Sequence, residues 1–289
     1  MKIHLVDGTY ELFRNHFGAP PKTAPDGRQV GATIGLLRSL MALLAEKDVT
    51  HIACAFDTVI ESFRNDLYPG YKTGVGIDPD LFGQFSLAEE AVSALGVVVW
   101  RMLEFEADDA LATAAIRFDK DNSVEQVVIC SPDKDLTQLV SGNRIVCWDR
   151  RRDIVLDETA VEEKFGVLPE SIPDWLALVG DSADGFPGLQ GWGAKSSATV
   201  LSHYKHLESI PEDPEAWGLK VRSAARLAET LVQNREQALL YKKLATLRLD
   251  VPLQDSLDDL KWMGAHPRLK KICYELGDKQ IPEQITHWR

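Results

Sequence analysis

The chain has 289 residues and a formal net charge of −12, with 45% hydrophobic and 26% charged side chains. That length allows one large domain or a core with a smaller satellite, and the composition excludes a disordered chain. The acidic balance argues against a partner held by overall charge, so a nucleic-acid site would have to be local.

No apolar run approaches the roughly 18 residues of a membrane span. The opening apolar residues 3–6 meet Asp7 too early for a secretion signal, so a cytoplasmic protein is expected. Residues 3–6 read as a strand, 9–17 as a helix with Tyr10 and Arg14 on one face, and 30–44 as an apolar helix. A second strand over 51–56 ends at Asp57. From 58 to 80 the periodicity is lost among Pro69, Gly70, Gly74, Gly76 and Pro79, which predicts an exposed excursion. A helix over 81–95, a strand over 97–100, a helix over 110–118 and strands over 127–130 and 144–148 follow. This alternation predicts an α/β fold with a largely parallel sheet, and the chain from Glu162 onward reads as helical. Cys54, Cys130, Cys147 and Cys273 are scattered, three of them in apolar strand-like runs, which suits buried free thiols.

Residues 178–199 draw the chain together. Asp181 and Asp184 follow an apolar helical run, three apart and so on one face of a helical turn. Gly185, Gly188, Gly191 and Gly193 mark backbone that turns tightly or meets another surface. A helix then starts near Ala194 with Lys195, Ser196 and Ser197 in its first turn, where unpaired N–H groups, hydroxyls and an ammonium suit a phosphate. Residues 185–207 hold lysines and histidines, and their first acid is yet to come at Glu208. The plainer alternative is a glycine-rich loop between packed helices.

The acids gather where strands end. Asp7, Asp57 and Asp133 follow three different strands, and ligands of open α/β sheets bind beyond those ends. Glu106, Asp108 and Asp109 open a helix, and Asp135, Asp181 and Asp184 complete the set. Any one acid also fits a turn, a helix cap or a complement to the helix dipole. Together they would repel strongly without cations, and oxygen-only ligands select Mg²⁺ or Mn²⁺ over zinc. Two hard ions beside a phosphate site suggest two-metal phosphodiester hydrolysis.

In order, Val6-Asp7-Gly8, Ala55-Phe56-Asp57, Phe63-Arg64, Tyr71-Lys72, Glu106-Ala107-Asp108-Asp109, Asp133-Lys134-Asp135-Leu136 and Gly180-Asp181-Ser182-Ala183-Asp184-Gly185 resemble the motifs of the 5′ nuclease or flap endonuclease family. The likeness is strongest to the 5′-3′ exonuclease domain of bacterial DNA polymerase I. It runs to about Leu253 through 221–226 and 234–238, and with no polymerase region following, a free-standing nuclease is expected. The resemblance implies a PIN-like catalytic core over 1–175, with an arch over 58–95, and a helical helix-three-turn-helix region with the tail over 176–289. It implies that Asp7, Asp57, Glu106 and Asp108 surround a first ion, and Asp133, Asp135, Asp181 and Asp184 a second, with Asp109 close by. It also implies that Arg64 and Lys72 act at the base of the arch, and that Tyr10 and Arg14 meet the substrate end. Gly188, Gly191, Gly193, Lys195 and Ser196 would hold duplex backbone, with K⁺ at the turn. The expected partner is DNA as 5′ flaps, nicks and 5′ ends, with RNA primers included, and the expected state is a monomer. The segment after Lys72 departs from the family in being glycine-rich and poor in cations. A PIN-like endoribonuclease and a non-catalytic binder of branched DNA are the competing readings.

Overall fold

Ile3, Leu5 and Val6 are fully buried, because a strand covered on both faces by helices needs apolar side chains at successive positions, not alternate ones. This is β1 (Lys2–Asp7) of a computed structural model that describes residues 1–289. Along the chain follow α1 (Gly8–Gly18), α2 (Gly31–Leu44), β2 (His51–Asp57), α3 (Phe63–Leu67), α4 (Pro79–Phe82), α5 (Phe85–Ala94), β3 (Val98–Met102), α6 (Ala107–Asp119) and β4 (Gln126–Cys130). Then come β5 (Ile145–Asp149), β6 (Ile154–Leu156), α7 (Glu158–Phe165), α8 (Ile172–Val179), α9 (Ala194–Tyr204), α10 (Ala224–Gln233), α11 (Arg235–Ala245), α12 (Arg268–Glu275) and α13 (Gln280–Gln284).

The chain divides into two compact units. The first comprises Met1–Ile60, Gly74–Ser131 and Leu249–Arg289. Its sheet has the order β3-β2-β1-β4, every pair parallel, with Val6 in register with Cys54 on one side and Cys130 on the other. Parallel neighbours joined through helices bring the carboxyl ends of β1 and β2, with Asp7 and Asp57, to one edge. α6 packs against this sheet, and α1 against α2.

The tail is part of this unit, although the expected cut at 175 assigned it to the helical region. Asp278 is almost fully buried and accepts from Lys22 and Arg38, both at 2.9 Å. The Trp262 backbone N–H donates to Thr50 O at 2.9 Å.

The second unit comprises Glu61–Thr73 and Pro132–Arg248. It holds the antiparallel β5–β6 hairpin and the helices from α7 to α11, with α8 packed on α11. Inside it Asp174 is completely buried and accepts from Lys242 Nζ at 2.8 Å, the Leu207 N–H at 2.8 Å and the His206 ring at 3.1 Å. Lys242 also pairs with Glu208 at 2.8 Å, so one ammonium ties α11 to α8 and to the turn after α9.

Several expectations need correction. The helix expected over 81–95 is broken at Gly83-Gln84, whose N–H groups close tight turns onto Pro79 O and Leu81 O. The β6 strand and the short α3 have too few residues for a periodic signal. Residues 58–80 are not uniformly exposed: Arg64 and Tyr71 are buried, and the Tyr68 ring meets the Tyr241 edge at 5.8 Å. All four cysteines are buried and free, as expected.

Two measurements test this packing. Lys242→Ala leaves the buried Asp174 carboxylate short of its cation, and because two other donors remain, a loss of about 2 kcal/mol in urea unfolding is expected. Burial, then the Lys261 charge, lowers the pKa of His51. Unfolded chains take up that proton near pH 6.5 while the folded chain resists it. Stability from this group is therefore complete above that pH and is lost as pH falls toward the folded value. His51→Gln is expected to flatten that part of a stability-versus-pH curve.

Candidate metal centre and nucleic-acid interface

In the first unit, the cap and the strand-end acid are the same residue. Asp7 Oδ1 accepts the Tyr10 N–H at 2.8 Å and caps α1, while Oδ2 accepts the Ser131 hydroxyl at 2.9 Å. Asp57 Oδ1 accepts the Ala107 N–H at 2.7 Å, so it serves the start of α6 and not of the next helix in sequence. Asp109, fully buried, accepts the Glu106 N–H at 3.0 Å and closes the first turn of α6. Glu106 is buried and Asp108 half-buried beside it. Donors of this kind hold a carboxylate in a fixed orientation.

In the second unit, Asp135, Asp181 and Asp184 present carboxylate oxygens that all lie within 4.8 Å of one another. Asp135 opens a 3-10 turn (Asp135–Leu139) and its N–H donates to Asp133 Oδ1 at 2.9 Å, which leaves Asp133 exposed at the rim. Asp181 and Asp184 do not lie on a helical turn as expected. α8 stops at Gly180, and a tight loop returns both the Gly185 and Phe186 N–H groups to Asp181 O. The loop needs glycine: Gly188 has φ +72°, and a Cβ there would strike the backbone of Gly180 and Leu178. Gly193, by contrast, has extended backbone with open space around it.

Burial, then the charges of Asp133, Asp184 and Asp181, raises the pKa of Asp135 well above the carboxylate range. Its Oδ1 is buried without a hydrogen-bond donor. A cation is the group that supplies what this oxygen lacks, so the residues fit a metal ion held by oxygen ligands. Lys134 Nζ pairs with Asp181 Oδ2, and Lys72 Nζ stands 3.3 Å from Asp184 Oδ1. Burial works against the Lys134 charge, yet Asp135, Asp181 and Asp133 together outweigh it and raise its pKa.

The remaining expected residues fall in different settings. Arg64 is 1% exposed, its Nε donating to Leu244 O at 2.8 Å and an Nη to Thr246 O at 3.3 Å. It anchors the segment that carries Lys72. Arg14 binds Glu11 at 2.5 Å and Ser39 at 3.0 Å, and its Nε is a buried donor without an acceptor. Tyr10 is half-buried on the same helix.

The expected phosphate seat opens on a cleft of about 710 Å³ between the starts of α9 and α10. Gly191, Gly193, Lys195 and Ser196 line it, together with Lys220, Arg222 and Arg226, and no carboxylate does. Ser196 Oγ accepts the Gly193 N–H at 3.0 Å and so trims the helix start. Gly188 lies in the loop behind and does not line the cleft. Of the other basic residues in the 185–207 window, Lys205 pairs with Glu170 at 2.8 Å, the His206 ring meets Asp174 at 3.1 Å, and His203 stands edge-on to the Tyr204 ring. Sequence reasoning gave no role to Lys220, Arg222 and Arg226, although three basic residues in seven around a helix start were visible.

A parallel sheet with acids at one edge, followed by helices carrying a carboxylate cluster and a basic cleft, defines a PIN-like α/β protein with a helical SAM-like region. The chain belongs to the 5′-3′ exonuclease family. Residues 2–166 match the family model "5′-3′ exonuclease, N-terminal resolvase-like domain" and residues 167–268 match "5′-3′ exonuclease, C-terminal SAM fold". The chain is 32% identical over 289 residues to DNA polymerase I of Bacillus caldotenax, covering 98% of this chain and 32% of that protein. To DNA polymerase I of Rhizobium leguminosarum it is 38% identical over 267 residues, covering 89% and 26%. The chain thus spans about a third or less of these relatives. In fold it is similar to the bacteriophage T5 D15 protein co-crystallised with metal ions, with a TM-score of 0.66, 15% identity and coverage of 98% and 96%. It also resembles the catalytic core of Rad2 in complex with DNA substrate, with a TM-score of 0.60, 16% identity and coverage of 98% and 89%. No helix is long and apolar enough to cross a membrane.

Asp135→Asn tests the cluster. Calorimetric Mg²⁺ affinity is expected to fall by at least about tenfold, since removal of an outer partner alone can have that effect. The ion-free melting temperature should stay level or rise, because one of three crowded negative charges is gone.

Proposed function

We propose that this chain is a metal-dependent 5′ nuclease, a 5′-3′ exonuclease and structure-specific flap endonuclease that hydrolyses phosphodiester bonds of 5′-ended or branched DNA. The observation that carries this reading is the convergence of Asp135, Asp181 and Asp184, with an unsatisfied buried oxygen on Asp135, in a chain of this family. When bound, two Mg²⁺ or Mn²⁺ ions would lower the pKa of an attacking water and stabilise the leaving oxygen. Asp7, Asp57, Glu106 and Asp108 would hold one ion, with Asp109 fixing the turn beneath them. Asp133, Asp135, Asp181 and Asp184 would hold the other. The family membership and the relatives' activity on DNA support this assignment, with the sequence separations and strand-end positions agreeing.

Hydrolysis joins a water oxygen to phosphorus and breaks the bond to the departing sugar oxygen. The residues outside the metal sites position the strand for that exchange. Lys72 would attract the scissile phosphate, with Arg64 holding its segment in place, and Tyr10 and Arg14 would meet the strand end. The cleft with Lys195, Ser196, Lys220, Arg222 and Arg226 would take duplex phosphates, the N–H groups of α9 adding to the field. A K⁺ ion at the 188–193 turn, action on RNA primers, a monomeric state and a cytoplasmic location belong to the same proposal. So does a functional division near residue 175, cutting across the spatial units.

Cleavage of 5′-labelled flap, nicked and single-stranded DNA in Mg²⁺, against the same strands in RNA, tests the reading. Preferred cutting of RNA would favour the endoribonuclease, and binding without cutting the non-catalytic protein. Lys195→Ala is expected to weaken duplex affinity for every sequence alike and to reduce the salt slope by about one unit. Lys72→Ala is expected to lower single-turnover cleavage while changing duplex affinity little; wild-type rates would remove its role.

A further inference from the structure

We propose that Lys134 is a resident counter-ion of the metal centre, holding the place of the ion among Asp135 and Asp181 and leaving it when a divalent ion enters. The proposal rests on the metal-dependent reading of this cluster and assigns a separate role to a residue that is not itself a ligand.

Three observations carry it. First, Lys134 stands between two acids in sequence, yet its ammonium reaches across to Asp181, with which it pairs, and lies 4.0 Å from Asp135 Oδ1. Second, that same Asp135 oxygen is buried and receives no hydrogen bond. The lysine therefore supplies charge to the pair without satisfying the oxygen, as a stand-in would and a permanent structural bridge would not. Third, the backbone of Lys134 is held while its side chain keeps a path to solvent. The Thr137 N–H and hydroxyl both donate to Lys134 O, at 3.1 and 2.5 Å, whereas the side chain is 32% exposed.

An ion bound by Asp135, Asp181 and Asp184 must share oxygens lying within 4.8 Å of one another, and an ammonium in the same space meets a second positive charge at contact distance. With a rigid backbone and a solvent path, a rotamer change of the lysine relieves that conflict. The consequence is a trade. Lys134 stabilises the ion-free protein by screening the acids, and by doing so weakens the ion's net affinity, since binding must first displace it.

The test uses the full chain, with Lys134→Met and Lys134→Gln as two neutral variants. Mg²⁺ affinity is read by calorimetry, and melting temperature in EDTA and in saturating Mg²⁺. Expected is a roughly tenfold tighter affinity, the scale of one displaced neighbouring charge. Both variants should also melt lower than wild type in EDTA, with a larger Mg²⁺-induced rise. Unchanged or weaker affinity in both variants overturns the proposal, making Lys134 a bystander or a supporting group. Asp135→Asn is titrated in parallel: if it binds Mg²⁺ as wild type does, the metal reading of the cluster fails, independently of Lys134.

Discussion

Repulsion between carboxylates is the constraint on which the functional part of this molecule depends. Two unit charges 4.8 Å apart repel by about 3 kcal/mol at an effective dielectric of 20, and the second unit gathers three into that space with a fourth at the rim. The protein meets this cost in several ways at once. Two lysines stand against the cluster, and burial and the neighbouring carboxylates raise the pKa of Asp135, so a cation favours its charged form. The backbone is fixed by a loop that only glycine accommodates at Gly188. Such a cluster is poor as a stabilising device and makes sense as a site whose last component arrives from solution.

The acids of the first unit are handled differently. Asp7, Asp57 and Asp109 each accept a backbone N–H at the start of a helix, so hydrogen bonding fixes the orientation of the carboxylate. Here the capping reading and the functional reading are not rivals, since a cap is what orients the carboxylate. Asp57 shows the difference between local and tertiary capping, because its partner lies fifty residues away in the chain.

The net charge of −12 coexists with a basic cleft because charge is sorted by position. In the 185–207 window, Lys205 and His206 turn to internal partners, Glu170 and the buried Asp174. The cations left facing the cleft come from two separate stretches, Lys195 from one and Lys220, Arg222 and Arg226 from the other. Such sorting lets an acidic chain present a locally positive surface.

Much of this was legible in the sequence because its causes are local. The buried parallel strands follow from unbroken apolar runs, with Asp at the ends of β1 and β2 following directly. The start of α9 follows from the glycine run and the helix-forming residues after it. The order of the acidic motifs identified the family. What depended on contacts between distant residues was not legible. Arg64 was expected to act at the base of the arch, and only the fold shows it turned toward the carbonyls of Leu244 and Thr246. The tail was only grouped with the helices by its place in the chain, and the burial of Asp278 between Lys22 and Arg38 ties it to the first unit. Residue type and spacing determined which chemistry this chain carries. Which acids share one pocket, and which cations remain available, was decided by tertiary structure, since pairing and burial depend on neighbours that sequence separation does not encode.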